Sequence, residues 1–247
     1  MKYYLLGRFQ IISGDDESYF PSKSKISQML GLLLVCSGTT VSVDTLIAEL
    51  WGENVPRSSL TTLQTYVYHA RKIFSTMVRG SNILATEPSG YSIRADAEEI
   101  DVKIFERRVG EARRFLDGGD PEKAIDRVDE ALRLWRGPVL AGMKIGPVLE
   151  AHVTYVNELR FTANELEIEA NQRLGRYQEL VPKLRLLVAE NPLNESLHAQ
   201  LIRILHKCGR RAEALQAYQN LWRILDAELG VTPAPELRLL QQELLSA

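Results

Sequence analysis

The 247-residue chain reads as mainly α with a small α+β domain in front. A winged helix-turn-helix is expected over residues 1–96 and an all-α, tetratricopeptide-like region over residues 101–247. Three observations predict this. Strand and helix cues alternate as far as Arg94, and strand cues then cease. From Val102 to Leu245 one helical periodicity follows another. Within that region a glycine-led pattern returns after 34 residues, from Gly175 to Gly209, which is the tetratricopeptide period.

Tyr3 to Ile12 is rich in aromatic and β-branched residues and reads as a strand, closed by the polar turn Ser13-Gly14-Asp15-Asp16-Glu17. Tyr19-Phe20 resumes the pattern, so a hairpin is expected. Ile26 to Val35 is too apolar for a surface helix and reads as a buried one, stopped at Ser37-Gly38. Val41-Ser42-Val43 is a short strand. Asp44 can then cap a helix from Thr45 to Trp51 that ends at Gly52.

The next helix begins at Ser58 or Ser59. Leu60, Leu63, Val67, Ala70 and Phe74 form its narrow apolar stripe. At 100° per residue the opposite face carries Ser58, Thr61, Thr65, Tyr68, His69 and Lys72. Ile83–Thr86, a Glu87-Pro88-Ser89-Gly90 turn and Tyr91–Arg94 complete a β-hairpin. Gly90 is read as serving the turn, Tyr91 as core, and Trp51 and Trp135 as core anchors.

Helices are expected over Val102–Leu116, Pro121–Trp135, Leu149–Leu174, Tyr177–Glu190, Glu195–His206, Ala212–Leu229 and Pro235–Leu245. The stretch from Arg136 to Pro147, with three glycines and two prolines, must be a loop. In the repeat, apolar residues stand five, nine and twelve after the glycine: Leu180, Leu184 and Leu187, then Ala214, Tyr218 and Leu221. Gly119 leads a third copy with Ala124, Val128 and Ala131. Such units cannot bury their faces singly, so they stack and leave a concave surface for a partner.

The net charge of −2 conceals an asymmetry. Met1–Ala95 holds nine Lys/Arg against seven Asp/Glu, whereas the remainder holds 21 against 25. From Asn54 to Thr86 there is no acidic residue, but there are Arg57, Arg71, Lys72 and Arg79, with His69 beside them. A surface that lies against phosphates needs cations and equally needs carboxylates to be absent. At 45% hydrophobic and 25% charged residues the chain is an ordinary globular one. Its longest apolar stretch, Met29–Cys36, is far short of the roughly 20 residues of a spanning helix. The N-terminus has no sustained apolar core, and Cys36 and Cys208 read as reduced thiols inside helical patterns. A cytoplasmic, nucleoid-associated protein is expected.

Enzyme chemistry finds no support. His152, His198 and His206 lack partners at metal-ligand spacing, and no phosphate-cradling loop or nucleophile elbow is present. Glu98 and Glu99 read as a solvated linker pair. No catalytic residue, cofactor or metal is assigned.

Val41-Ser42-Val43-Asp44, Leu50-Trp51-Gly52, Leu63-Gln64-Thr65-Tyr66-Val67, Pro88-Ser89-Gly90-Tyr91, Leu134-Trp135-Arg136-Gly137, Leu174-Gly175-Arg176 and Glu228-Leu229-Gly230 occur in this order. With Pro233-Ala234-Pro235-Glu236-Leu237, these residues resemble the Streptomyces antibiotic regulatory protein family nearly end to end. The resemblance implies a response-regulator-type winged helix followed by a bacterial transcriptional activation domain. It further implies binding to direct repeats in double-stranded DNA upstream of antibiotic biosynthetic genes. The implied protein partner is RNA polymerase holoenzyme, through a sigma factor. The chain departs from the family at Leu60, Thr61 and His69, and only Lys25 matches in Lys25-Ile26-Ser27.

The residues expected to meet DNA are Lys25, Ser58, Thr61, Thr62, Thr65, Tyr68, His69, Arg71, Lys72 and Arg94. Short hydroxyl side chains let a helix backbone approach base edges in the major groove. Arg71, at the side of the helix, reads equally as a phosphate contact or as half of an intramolecular ion pair. Arg94 stands where a wing reaches a phosphate or the minor groove. One recognition helix covers few base pairs, so self-association on DNA is expected. The rival readings are a tetratricopeptide-type protein scaffold and a ligand-gated regulator.

Overall fold

The computed structural model describes residues 1–14, 18–19, 24–77 and 82–246. Phe20, Arg79 and the acidic turn residues Asp15, Asp16 and Glu17 lie outside these. The fold is mainly helical with two small sheets. By its contacts the chain divides into Met1–Leu166 and Glu167–Ala247, so the first unit takes in the start of the long helical region.

The first unit opens with β1 (Lys2–Tyr4), β2 (Gln10–Ile12) and β3 (Ser18–Tyr19), an antiparallel sheet in that order. The apolar run from Tyr3 to Ile12 is therefore two strands rather than one. Lys2 pairs with Ile12 and Tyr4 with Gln10 across a bend at Leu5-Leu6-Gly7. That bend holds because its polar backbone is fully employed. The Leu5 and Leu6 amides donate to the two oxygens of Asp101, at 2.8 and 3.0 Å. The carbonyls of residues 5–7 accept from Leu140, Arg136 and Ala141 in turn. Asp101 is 3% exposed and also takes a 2.7 Å bond from Arg136. Burial pushes its carboxyl above the ordinary range, and the two amides and Arg136 pull it partly back.

Helix α1 (Lys25–Val35) is buried from Ser27 to Val35, as its composition demands, and Ser24 caps it. Strand β4 (Val41–Ser42) leads into α2 (Val43–Trp51). The cap of α2 is Ser42, whose Oγ accepts from the Thr45 amide at 3.0 Å; Asp44 sits instead in the first turn, where its charge favours the helix dipole. Helix α3 (Ser59–Met77) follows, then β5 (Leu84–Glu87) and β6 (Gly90–Ile93). β6 lies between β5 and β4, with Pro88-Ser89 as a two-residue turn. Gly90 is required for close approach: a Cβ there would collide with the Val41 carbonyl, and its φ is not positive.

Helix α4 (Asp101–Asp117) and α5 (Pro121–Leu132) form a hairpin. Residues 136–146 are the expected loop, and they are pinned along their length. Leu140 is 2% exposed and holds φ +53, a conformation that costs a branched residue strain. The loop ends at α6 (Pro147–Arg173), where Glu49 of α2 is 1% exposed and receives the helix's free amides. Gly146 donates to one oxygen at 2.6 Å; Val148 and Leu149 donate to the other at 2.9 Å. Gln28 of α1 adds a bond to the same carboxylate at 2.8 Å. A buried negative charge at a helix N-terminus satisfies orphan donors and the macrodipole together. Gly146 admits no side chain, because its Cβ would strike the Glu49 carbonyl.

The second unit continues through α7 (Tyr177–Glu190), α8 (Glu195–Lys207), α9 (Arg211–Leu229) and α10 (Pro235–Ser246). Every helix boundary from α4 onward lies within two residues of the sequence reading, except the end of α5 at Leu132 instead of Trp135. All nine apolar positions of the three glycine-led copies are buried. The three glycines share one geometry. Gly119, Gly175 and Gly209 have φ of +81, +72 and +73. The amide after each reaches back five residues, from Asp120 to Phe115, Arg176 to Asn171 and Arg210 to Leu205. This bond ends a helix with a left-handed residue that only glycine adopts without cost.

The Glu49 cap yields a stability prediction. Glu49→Ala strands three amides, one buried and two half-buried, and should cost about 3 kcal/mol. Gly146→Ala should lose a similar amount through steric conflict alone. Both should appear as a lower urea midpoint with an unchanged slope; native-like midpoints would mean that the α6 terminus finds other partners.

Candidate nucleic-acid interface

Helix α3 divides cleanly by exposure. Ser59, Leu63, Val67, Ala70 and Phe74 are buried and fasten it to the core. Leu60, placed in the apolar stripe by composition, is instead 49% exposed. Ser59 takes its buried position, since the spacing 59, 63, 67, 70, 74 follows the helix turn more closely. Leu60 lies on the flank that also carries Gln64 and Arg71. Tyr66 faces the other flank and stacks on Trp51, with ring centroids 6.2 Å apart and planes 16° from parallel.

Thr61, Thr65, Tyr68, His69 and Lys72 are all exposed on one face of this helix, and Tyr68 stands out at 64%. Ser58 is exposed just before it, and Thr62 is half-buried. Two of the threonine hydroxyls are turned inward: Thr62 Oγ1 donates to the Ser58 carbonyl at 2.9 Å and Thr65 Oγ1 to that of Thr61 at 3.0 Å. Each hydroxyl proton is thereby used, which leaves an acceptor lone pair and a methyl to meet whatever approaches. Tyr68 and His69 rings meet edge to face at 5.5 Å. No carboxylate lies on α3, and its first turn has no acidic residue. The positive end of its dipole is thus uncompensated there.

Arg71 ties this helix to the hairpin. Its Nε donates to the Leu84 carbonyl at 3.1 Å and its guanidinium to Thr86 Oγ1 at 2.7 Å. Among the described residues it has no carboxylate partner, so the ion-pair alternative gives way to two neutral bonds onto β5. Arg94 is exposed immediately after β6, with its amide on the Ile83 carbonyl at 2.8 Å. The helix face, Arg71 and Arg94 therefore belong to one helix-and-hairpin assembly.

Lys25 stands apart from it. At the start of α1 its half-buried ammonium donates to the Leu50 carbonyl and lies 5.2 Å from the Trp51 ring. Burial, and then Lys144, lower its pKa. It serves the carbonyl end of α2, where positive charge is favoured. Leu60, Gln64, Ser75 and Thr76 are the exposed α3 residues that the sequence reading did not assign to a contact. Gln64 could have been found from its alternation with buried Leu63; Leu60 could not, because apolarity argues for burial.

Comparison with known proteins places the chain. Residues 100–245 match the bacterial transcriptional activator domain family. Regulatory protein DnrI of Streptomyces peucetius is 37% identical across 93% of this chain and 87% of its own length. Regulatory protein AfsR of Streptomyces griseus is 35% identical over 89% of this chain but only 22% of its own. Among solved structures, Mycobacterium tuberculosis EmbR, in complex with a low-affinity phosphopeptide, superposes with a TM-score of 0.87. It is 30% identical and matches over 99% of this chain and 65% of that one. The chain belongs to the bacterial transcriptional activator domain family and, by its relatives, to the Streptomyces antibiotic regulatory proteins.

Proposed function

We propose that the protein is a DNA-binding activator of a secondary-metabolite gene cluster, which reads direct repeats through α3 in the major groove. The observation that carries this is the exposed α3 face, rich in hydroxyls, bearing Lys72, and free of carboxylates. Residues 1–96 are read as a response-regulator-type winged helix, with α3 as recognition helix and β5–β6 as wing. Residues 101–247 are read as the tetratricopeptide-like activation domain that recruits RNA polymerase holoenzyme through a sigma factor. This places the protein in the cytoplasm, on the nucleoid. The DNA-reading region leans on later residues, because the Leu5 and Leu6 amides and Glu49 find their partners beyond residue 100.

Ser58, Thr61, Thr62, Thr65, Tyr68, His69 and Lys72 are assigned to the groove and Arg94 to a phosphate or the minor groove. Arg71 sets the angle between helix and wing. Lys25 acts through α2. If Lys72 meets a phosphate, Lys72→Ala should weaken binding alike for all sequences and lower the salt slope by about one unit. If Thr65 meets a base edge or thymine methyl, Thr65→Ala should flatten preference at one position, at about 1–3 kcal/mol. Gel-shift titrations on the promoter and on scrambled DNA separate the two; unchanged binding in both variants removes α3 from the groove.

Arg71→Ala should reduce affinity for every sequence several-fold while the thermal transition stays in place, since the α3 core residues are untouched. Wild-type affinity in that variant would show that β5 needs no tie to α3.

Direct repeats require head-to-tail protomers, with recognition helices about one turn of 10–10.5 base pairs apart. Inserting about five base pairs between repeats should abolish cooperative footprinting and transcription activation. A ten-base-pair insertion should partly restore the footprint. Equal occupancy at all spacings would mean that protomers bind independently.

A further inference from the structure

The exposed surface of α3 contains one group that polar recognition does not explain. Leu60 is 49% exposed at the second position of the helix, outside the stripe that fastens α3 to the core. At 100° per residue, Leu60, Thr61, Gln64, Thr65 and Tyr68 share an arc of about 140°. All five are exposed. Four of them carry hydrogen-bonding groups, and Leu60 carries only hydrocarbon. An isolated exposed leucine needs no explanation on an ordinary surface. With α3 as the recognition helix, the reading on which this rests, Leu60 stands at the end whose residues meet base edges.

The major groove of unmodified DNA offers one methyl group, on C5 of thymine, whereas guanine, adenine and cytosine present donors or acceptors there. A leucine side chain forms no hydrogen bond. Laid against guanine O6 and N7, or against the cytosine amino group, it would displace water from groups that it cannot satisfy. Laid against a thymine methyl, it removes apolar area from water on both surfaces. Attraction and exclusion therefore select the same base. Thr61 and Gln64, its exposed neighbours on the helix, are polar. Leu60 thus extends no apolar patch along α3 of the kind that a protein partner would need.

We infer that Leu60 is a specificity-determining residue, which reads the C5-methyl of one thymine in each repeat. It discriminates without charge, so it contributes nothing to counterion release, in contrast to Lys72. Polar neighbours are left to serve the polar edges of adjacent base pairs. Base choice at this position then depends on a side chain that the fold itself does not require.

The test uses the full chain to enrich a duplex from random-sequence DNA. Each thymine of that duplex is then replaced singly by deoxyuridine, which lacks only the methyl. One replacement in each repeat should weaken binding about fourfold, the effect of burying one methyl-sized group. Leu60→Ala should bind the thymine and deoxyuridine duplexes equally, whereas Leu60→Met should keep most of the difference. Neither variant should change the salt slope, and both should keep the wild-type thermal transition, because the side chain is half bare. Cytosine at the same position should bind weakly and recover part of the loss when methylated at C5. Deoxyuridine tolerated at every position, or a penalty unchanged in Leu60→Ala, would overturn the assignment without touching the DNA-reading role of α3. So would undiminished DNA binding by Leu60→Ala with loss of activation in a purified polymerase assay, which would give the residue to a protein partner. Failure to enrich any sequence would overturn the DNA-reading function itself, and the assignment with it.

Discussion

The Glu49 carboxylate is the constraint on which the first unit depends. It is almost wholly enclosed, and it is tolerable there because four donors converge on it: Gln28 from α1 and three amides at the start of α6. Removing the carboxylate leaves the amides at the start of α6 unpaired, which costs more than the bonds contribute when made. Asp101 repeats the device at the bend between β1 and β2. The strands of this unit run to only two to four residues and could not stand alone. Asp101 attaches the first sheet to α4, and Glu49 fastens α1 and α2 to the start of α6.

This scaffold lets α3 be both rigid and bare. Five residues hold it down, Arg71 and Tyr66 brace its flanks, and the rest of its surface is left to polar groups that the fold does not need. Stability and recognition thus fall on different residues of one helix. Thr65 is the intermediate case, since its hydroxyl proton serves the helix and its methyl and lone pair do not.

Much of this was legible in the sequence. The repeat was readable because it couples two independent signals, a left-handed glycine and three apolar positions at helical spacing, and those positions are buried in all three copies. The polar face of α3 was readable from periodicity. What was missed has one local case and otherwise one cause. Short-range pattern suggests Asp44 as a cap, but geometry gives the task to Ser42. A run of strand formers hides the bend at Leu5–Gly7, which is stabilised by partners about a hundred residues away. The reason for Gly90 is a carbonyl on another strand, and that for Glu49 is a helix terminus reached across 97 to 100 positions. Periodicity carries no information about such distant neighbours.

The loop between α5 and α6 has a consequence for how relatives can diverge. Arg136, Leu140 and Ala141 are registered against the carbonyls of residues 5–7, and five residues beyond Ala141 Gly146 fits against Glu49 with no room for a Cβ. The intervening segment is a spacer of fixed reach between two anchorage points. One residue more or fewer would displace either the strained Leu140 or the first turn of α6. Length variation in this lineage should therefore collect in other connections, and the segment should drift in composition while holding its count.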